Sequence, residues 1–131
     1  MRQRNRNQRG YAIRKNTIRD DFIDKQIVAI HRAMAAKVIQ YPELIDKVLA
    51  TLEKRRKEGR IGYGAYITWF SLLDIAKADP KAFYNGVIED DKRMRKLRRN
   101  TPFVDILTEE ERQNALEQDA VGTLPNIDFL L

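Results

Sequence analysis

The sequence predicts an all-α fold, with four main helices plus a short C-terminal helix, a flexible basic N-terminal arm and an irregular C-terminal tail. Apolar residues recur every three or four positions in several stretches, which is the spacing of one helix face. No stretch alternates apolar and polar residues as strands do. The chain has 131 residues, 43% of them hydrophobic, which suits one domain with its own core. We divide it into an arm at 1–16, a helical domain at 17–119 and an apolar-ended tail at 120–131.

The composition excludes several classes of protein. The chain has no cysteine, so disulfides and thiolate metal sites are excluded. No apolar run approaches the roughly 20 residues that a membrane-spanning helix needs. The basic N-terminus is not followed by the apolar segment of a secretory signal. We therefore expect a soluble, cytoplasmic protein.

The first helix is predicted to begin near Thr17 or Asp20. The 16 residues before it are rich in Arg, Asn and Gln and lack apolar periodicity. We expect them to form an arm that is disordered when free. After the arm, apolar residues three or four positions apart define one helix face. The members of this face are Ile23, Ile27, Ile30, Met34 and Val38.

The second helix is predicted to follow a break at Tyr41-Pro42. A proline disfavours helical geometry in the residue before it and suits the first position of a new helix. The helix is expected to end near Gly59, because glycine favours the left-handed conformation found just after a helix. Its apolar stripe consists of Leu44, Ile45, Val48, Leu49 and Leu52.

The third and fourth helices are predicted on either side of Asp79. The stretch from Ala65 to Lys77 has aromatic and apolar residues at helical spacing. Asp79 and Pro80 mark the start of the next helix, as N-cap and first position, and this helix could continue as far as Leu97. The residues expected inside are Tyr66, Trp69, Phe70, Leu73, Phe83, Tyr84, Val87 and Ile88.

A short fifth helix is predicted from Thr108 to about Asp119. Thr101-Pro102 ends the helix before it. Thr108 and Glu111 have the spacing of a capping box, in which the two residues cap each other's backbone. The glutamates of the first turn also suit the positive end of the helix dipole.

Charge is segregated along the chain, whose net charge is +6. Seven cations and one acid fall in residues 1–20, six cations and no acid in 92–99, and seven acids with one cation in 105–131. Arginine forks pair bidentately with phosphates, so the two basic segments are candidate nucleic-acid contacts. The alternative is a solvated surface, with cations placed at a helix C-terminus. The candidate contacts are Arg2, Arg4, Arg6, Arg9, Arg14, Lys15, Lys92, Arg93, Arg95, Lys96, Arg98 and Arg99.

The residues give little support to an enzyme. His31 is the only histidine, and its apolar helix neighbours predict a core-edge residue rather than a base. Ser71 is the only serine and no cysteine can act as a nucleophile. The consecutive acids at 109–111 point about 100° apart on a helix and cannot converge on one metal. We predict no catalytic residue, no metal site and no cofactor.

Apolar residues near the C-terminus suggest a protein partner. The tail places hydrophobic side chains among acidic ones, which suits capture in a partner's groove. The alternative is that the tail folds back on its own domain. The predicted partner-binding residues are Phe103, Ile127, Phe129 and Leu130.

Several short motifs across residues 29–112 together resemble small bacterial helical proteins. The matching residues are His31-Arg32-Ala33, Pro42-Glu43-Leu44, Trp69, Leu72-Leu73, Arg98, Thr101-Pro102-Phe103, Leu107-Thr108 and Glu110-Glu111-Arg112. Such proteins are antitoxin-like or accessory to mobile elements, and some carry a DNA-binding module. The chain differs in having a basic arm where such a module would lie, and in its apolar tail.

Three hypotheses on function follow from these features. The first is a non-enzymatic, antitoxin-like regulatory protein that binds a protein partner and contacts nucleic acid through the arm. The second is a stand-alone nucleic-acid-binding protein that uses the arm and residues 92–99. The third is a structural or assembly component of a phage or larger complex. The sequence leaves the partner, the choice of DNA or RNA and the oligomeric state open.

Overall fold

The computed structural model describes the backbone of residues 2–122 and the side chains of residues 18–122. This part of the chain contains six helices and no strand, which confirms the all-α prediction. None of the helices is both long enough and apolar enough to cross a membrane. The helices are α1 (Arg2–Gln40), α2 (Leu44–Lys57), α3 (Tyr63–Ile75), α4 (Pro80–Val87), α5 (Lys92–Arg98) and α6 (Glu109–Ala120).

The predicted start of the first helix, near Thr17 or Asp20, is wrong, because α1 begins at Arg2. The segment lacks apolar periodicity, but a helix backbone does not require it. No proline occurs before Pro42, and arginine and glutamine are good helix formers. The side chains of the predicted arm, and all of residues 123–131, lie outside the described residues.

The predicted ends of α2 are largely confirmed. Tyr41-Pro42 separates it from α1, although the helix itself begins two residues later, at Leu44. At the other end Gly59 has a φ of 68°, and the N–H groups of Gly59 and Arg60 donate to the carbonyls of Arg56 and Arg55. This pair of hydrogen bonds is the Schellman motif, which requires a left-handed residue such as glycine.

The predicted count of four main helices plus one is wrong, because the expected fourth helix is two helices. Asp79 caps α4 as predicted, accepting from the Ala82 N–H at 3.1 Å. Asp91 then caps α5, accepting from the Met94 N–H at 2.7 Å. An aspartate that bonds to the backbone two or three residues ahead competes with a continuous helix and starts a new one. The chain therefore turns between α4 and α5.

The linker between α5 and α6 lies against the centre of the core. Phe103 is 3% exposed, and its ring meets that of Trp69 edge-on, with 5.7 Å between ring centroids. It also packs against Phe83, which like Trp69 is fully buried. The prediction that Phe103 is a partner-binding residue is therefore corrected. Its aromatic surface stabilises the core instead.

Long basic side chains satisfy the backbone of this linker, since no strand or helix does so. Arg55 Nη1 donates to the carbonyl of Asn100 at 2.9 Å. Lys47 Nζ donates to that of Asp105 and Lys37 Nζ to that of Ile106, at 2.7 and 2.8 Å. Of these bonds, only that from Lys37 is partly buried, and it pairs the Ile106 carbonyl, which would be costly to bury without a partner. The other two lie at the surface and fasten the linker to α2.

α6 closes the structure against α1. Thr108 and Glu111 form the predicted capping box, with Thr108 N–H donating to Glu111 Oε1 at 2.8 Å and Glu111 N–H to Thr108 Oγ1 at 3.1 Å. Lys37 of α1 pairs with the same Glu111 at 2.7 Å, and this hydrogen bond is the main reason that the pKa of Glu111 is lowered. Arg32 and Asp119, 3.5 Å apart, join the far end of α6 to α1.

Phe103→Ala should test the assignment of Phe103 to the core. Removing a fully buried aromatic side chain costs about 3–5 kcal/mol of unfolding free energy, which urea unfolding can measure. The neighbouring Val104, 40% exposed, gives a matched control. Val104→Ala should change the free energy of unfolding by about 0.5 kcal/mol or less. Equal effects of the two substitutions would contradict the assignment.

Candidate nucleic-acid interface

The basic block at 92–99 does not act as one surface, because its side chains point around the α5 axis. Arg98 lies inside the protein and is 1% exposed. The expectation that Arg98 faces a nucleic acid is therefore wrong. Successive helix positions differ by about 100°, so a run of seven must cover every side of the helix. The side facing the core is occupied by Met94 and Arg98.

A second side of α5 faces the acidic stretch of α1. Arg95 pairs with Asp90 at 2.7 Å and approaches Asp21 at 3.8 Å. Arg99 donates to Asp24 at 2.9 Å, and Asp20 lies 3.7 Å away. Hydrogen bonds to Asp90 and Asp24 raise the pKa of Arg95 and Arg99 respectively. Both forks are already engaged by carboxylates within the protein, so they are poorly placed for phosphates.

The third side of α5 faces α3 and solvent. Arg93 Nη2 donates to Thr68 Oγ1 at 2.7 Å and to the carbonyl of Gly64 at 3.3 Å. These bonds hold the guanidinium beside the first turn of α3. Lys96, one turn further along α5, is exposed and lines the same groove as Arg93. Lys92 is exposed beside them but does not line the groove.

A further set of cations, not predicted as contacts, comes from the end of α2. The bond from Arg55 to the Asn100 carbonyl joins the end of α2 to the end of α5. Burial, followed by the nearby charge of Arg60, lowers the pKa of Arg55. The uninterrupted run 54–57 in the sequence was the available signal. We define the basic face by the four cations that contacts place at this junction: Arg55, Arg56, Arg93 and Lys96.

The first turn of α3 opens onto this face. Gly62 is its N-cap and provides no side-chain cap, so the N–H groups of Tyr63, Gly64 and Ala65 have no intrahelical acceptor. Gly62, Gly64 and Ala65 line a groove of about 410 Å³ together with Arg93 and Lys96. Free N–H groups and a helix dipole favour an anion at this position.

Aromatic rings lie within the basic face. Tyr63 is 71% exposed. The Arg56 guanidinium lies 4.3 Å from the ring centroid of Tyr66 and 5.7 Å from that of Tyr63. Glu53 accepts a hydrogen bond from the Tyr66 hydroxyl, and this bond is the main reason that the pKa of Tyr66 is raised. An exposed ring among cations can stack on a nucleic-acid base.

His31 lies in the core and is fully hydrogen-bonded. Its Nδ1 donates to the carbonyl of Ile27 at 2.7 Å, which leaves Nε2 to accept from the Thr101 hydroxyl at 2.9 Å. Burial, with a smaller effect from the charge of Arg98, lowers the pKa of His31 to about 4. The imidazole is therefore neutral at pH 7. Its ring stacks on Trp69 and meets Phe103 edge-on.

Neither a metal site nor a similarity to known proteins points to a different functional site in the described part of the chain. Among the described residues, no three His, Asp or Glu side chains are arranged to hold a metal ion. Comparison of the chain with family models, curated proteins and solved structures finds no match. The resemblance to antitoxin-like proteins stays a prediction. The assignment therefore rests on the geometry and charge of the described residues.

His31 should make the protein less stable in mild acid. Its pKa falls from 6.5 to about 4 on folding, so between these pH values the unfolded chain binds more protons. The free energy of unfolding should therefore decrease by up to about 3 kcal/mol between pH 7 and pH 4. Urea unfolding across this range measures the decrease.

His31→Gln provides the control, since an amide can donate to the Ile27 carbonyl and accept from Thr101 but does not titrate. Subtracting the variant's free energy of unfolding from that of wild type at each pH removes the contribution of carboxylates such as Glu111. Because the chain has a single histidine, its ring signals in NMR report the pKa directly. Identical pH profiles for the two proteins would contradict the prediction.

Proposed function

We propose that this chain is a non-enzymatic, antitoxin-like regulatory protein that contacts nucleic acid through the basic face and a protein partner through α1. The observation that carries the nucleic-acid contact is the groove between the outward side of α5 and the uncapped first turn of α3. The basic end of α2 lies beside this groove, joined to it by the bond from Arg55 to the Asn100 carbonyl. Each of them alone is an ordinary surface feature.

The chemistry of the groove suits a nucleic-acid backbone. Arg93 and Lys96 line the groove beside the free N–H groups, and both kinds of donor bind phosphate oxygens. Arg55 and Arg56 lie next to the groove, at the end of α2. Arg93 is held in place by Thr68 and Gly64, so less side-chain entropy is lost on binding. The exposed ring of Tyr63 adds a stacking surface. These contacts involve the nucleic-acid backbone and the flat faces of the bases, which differ little between sequences, so we expect weak sequence preference.

The arm at 1–16 is a second region that we propose contacts nucleic acid. Since α1 is continuous from Arg2, the six cations predicted as contacts at its start belong to a long helix. At 1.5 Å per residue, α1 is about 58 Å long. The arm and the basic face are then two regions that can contact one extended polyanion.

Two exposed hydrophobic residues on α1 support a protein partner. Ile18 is 79% exposed and Phe22 is 63% exposed, one helical turn apart. They precede the part of α1 whose residues enter the core, which begins at Ala29. Neighbouring large apolar side chains on a helix surface favour a protein contact.

Removing cations from the basic face should weaken nucleic-acid binding. Arg56→Gln combined with Lys96→Gln should lower affinity for duplex DNA or single-stranded RNA and reduce the salt slope by about two. Fluorescence anisotropy over a range of salt concentrations measures both quantities. Lys77→Gln with Lys81→Gln removes the same charge from exposed positions elsewhere. An equal loss in both double variants, or binding that does not depend on salt, would overturn the proposed face.

Phe22→Ser should separate the protein contact from the nucleic-acid contact. We expect the product of a neighbouring gene to co-purify with the wild-type chain and with the Arg56→Gln, Lys96→Gln variant. Phe22→Ser should lose that partner while keeping nucleic-acid affinity, because the substitution removes exposed apolar area and no charge. A wild-type chain that purifies alone and suppresses the toxicity of no neighbour would argue against an antitoxin-like role.

A further inference from the structure

Arg98 is buried with one part of its guanidinium satisfied and the other part not. Its Nη1 donates to the carbonyls of Val87 and Glu89, at 3.0 and 2.8 Å, and so caps the end of α4. Its Nε and Nη2 atoms find no acceptor among the described residues. Burial lowers the pKa of Arg98, but an arginine stays charged in proteins. A buried cationic donor without an acceptor is costly, which suggests that a ligand belongs there.

The two unsatisfied nitrogens form the edge of the guanidinium that binds oxyanions. The N–H bonds of Nε and Nη2 are parallel, and their spacing matches the two oxygens of one carboxylate or phosphate. The bonds from Nη1 fix the plane of the group, so this fork has a defined direction. A lysine at position 98 would supply a charge there but no fork.

A cavity of about 460 Å³ adjoins Arg98, a volume within the range of small-molecule sites. Its polar wall includes Thr101 and the His31 ring, which burial keeps neutral and which accepts a hydrogen bond from the Thr101 hydroxyl. The rest of the wall is largely apolar and comes from α1 and the linker. These apolar residues are Ile27, Ile30, Met34, Phe103, Ile106 and Leu107.

The charges around the cavity favour a ligand with a single negative charge. Arg99 and Arg112 also line it, but Arg99 is paired with Asp24 and Arg112 lies 3.7 Å from Glu109. The carboxylate of Asp105 adds one more negative charge to the wall. With Asp105 counted, the charges of the wall sum to about zero, so Arg98 offers an unpaired fork rather than a large excess of positive charge. A carboxylate brings one negative charge to that fork, whereas a doubly charged phosphate would bring a second, uncompensated charge into a buried place.

We propose that this cavity binds a carboxylate carried on an apolar group, with both oxygens on Nε and Nη2 of Arg98 and the apolar part against Ile30 and Met34. Since Arg98 is 1% exposed, side chains at the wall must shift as the ligand enters. Two sources have this chemistry. One is a small apolar acid, and the other is an acidic, apolar peptide segment such as residues 127–131, which lie outside the described residues.

NMR titration of the full chain tests the proposal, with the ring of the single histidine as the reporter inside the cavity. The probes are benzoate, its neutral analogue benzamide, and phenyl phosphate. Benzoate should shift the His31 signals saturably, and the other two probes should bind at least about tenfold more weakly. Equal responses to benzoate and benzamide, or no saturable response to benzoate, would overturn the proposal.

Arg98→Lys should weaken benzoate binding roughly 10- to 100-fold, because it keeps the charge and loses the fork. The matched control is Arg99→Lys, which also lines the cavity but has its fork on Asp24. That variant should bind benzoate within about twofold of wild type. Equal losses in the two variants would contradict the role of Arg98. If Arg98→Lys does not fold, the three-probe series on the wild-type chain still shows whether the cavity prefers a carboxylate.

Asp128→Asn combined with Phe129→Ser and Leu130→Ser in the full chain identifies the source of the carboxylate. If residues 127–131 occupy the cavity, these substitutions remove the acid and the apolar group of the competitor, and benzoate binds more tightly. If the ligand is a separate acid, benzoate affinity stays the same as in wild type. Both results rest on the carboxylate chemistry that the probe series establishes, and neither depends on the basic face proposed for nucleic acid.

Discussion

The packing of Phe103 against Trp69 at the centre of the core is the contact around which the rest of the structure is arranged. Phe103 belongs to the irregular α5–α6 linker, whose backbone is costly to bury unless its polar groups are paired. Lys37 of α1 donates to the partly buried Ile106 carbonyl, and Lys47 and Arg55 of α2 donate to the linker at the surface. One short segment thereby holds α1, α2, α5 and α6 around a common core.

The same arrangement creates the candidate interface. The bond from Arg55 to the Asn100 carbonyl places the end of α2 beside α5, and Arg93 reaches from α5 to the first turn of α3. The linker contributes Asn100 to the groove of the basic face. On the other side of the linker, the cavity beside Arg98 is walled by Phe103 and by α1. The two candidate anion-binding surfaces therefore both border the α5–α6 linker.

A run of like charges in a sequence is not a functional unit, as α5 demonstrates. Helical periodicity sends Arg98 inward, Arg95 and Arg99 towards aspartates of α1, and Arg93 and Lys96 towards the groove. The sequence predicted all of them as equivalent contacts. Their spacing alone cannot rank them, because the side of α5 that is buried depends on what packs against it. Two of the four cations in the basic face, Arg93 and Lys96, come from this block and were among the predicted contacts.

The sequence by itself determined the all-α class and the local signals that begin and end helices, such as Asp79, Thr108 and Gly59. Each of these acts through hydrogen bonds to residues no more than about four positions away, so the information is local. Only the tertiary structure decided that Arg98 is buried and that α2 meets α5. Those outcomes depend on partners far apart in the chain, as with Arg55 and Asn100, 45 residues apart. The spacing of neighbouring residues does not predict such pairs, because they form only when distant segments of the chain pack together.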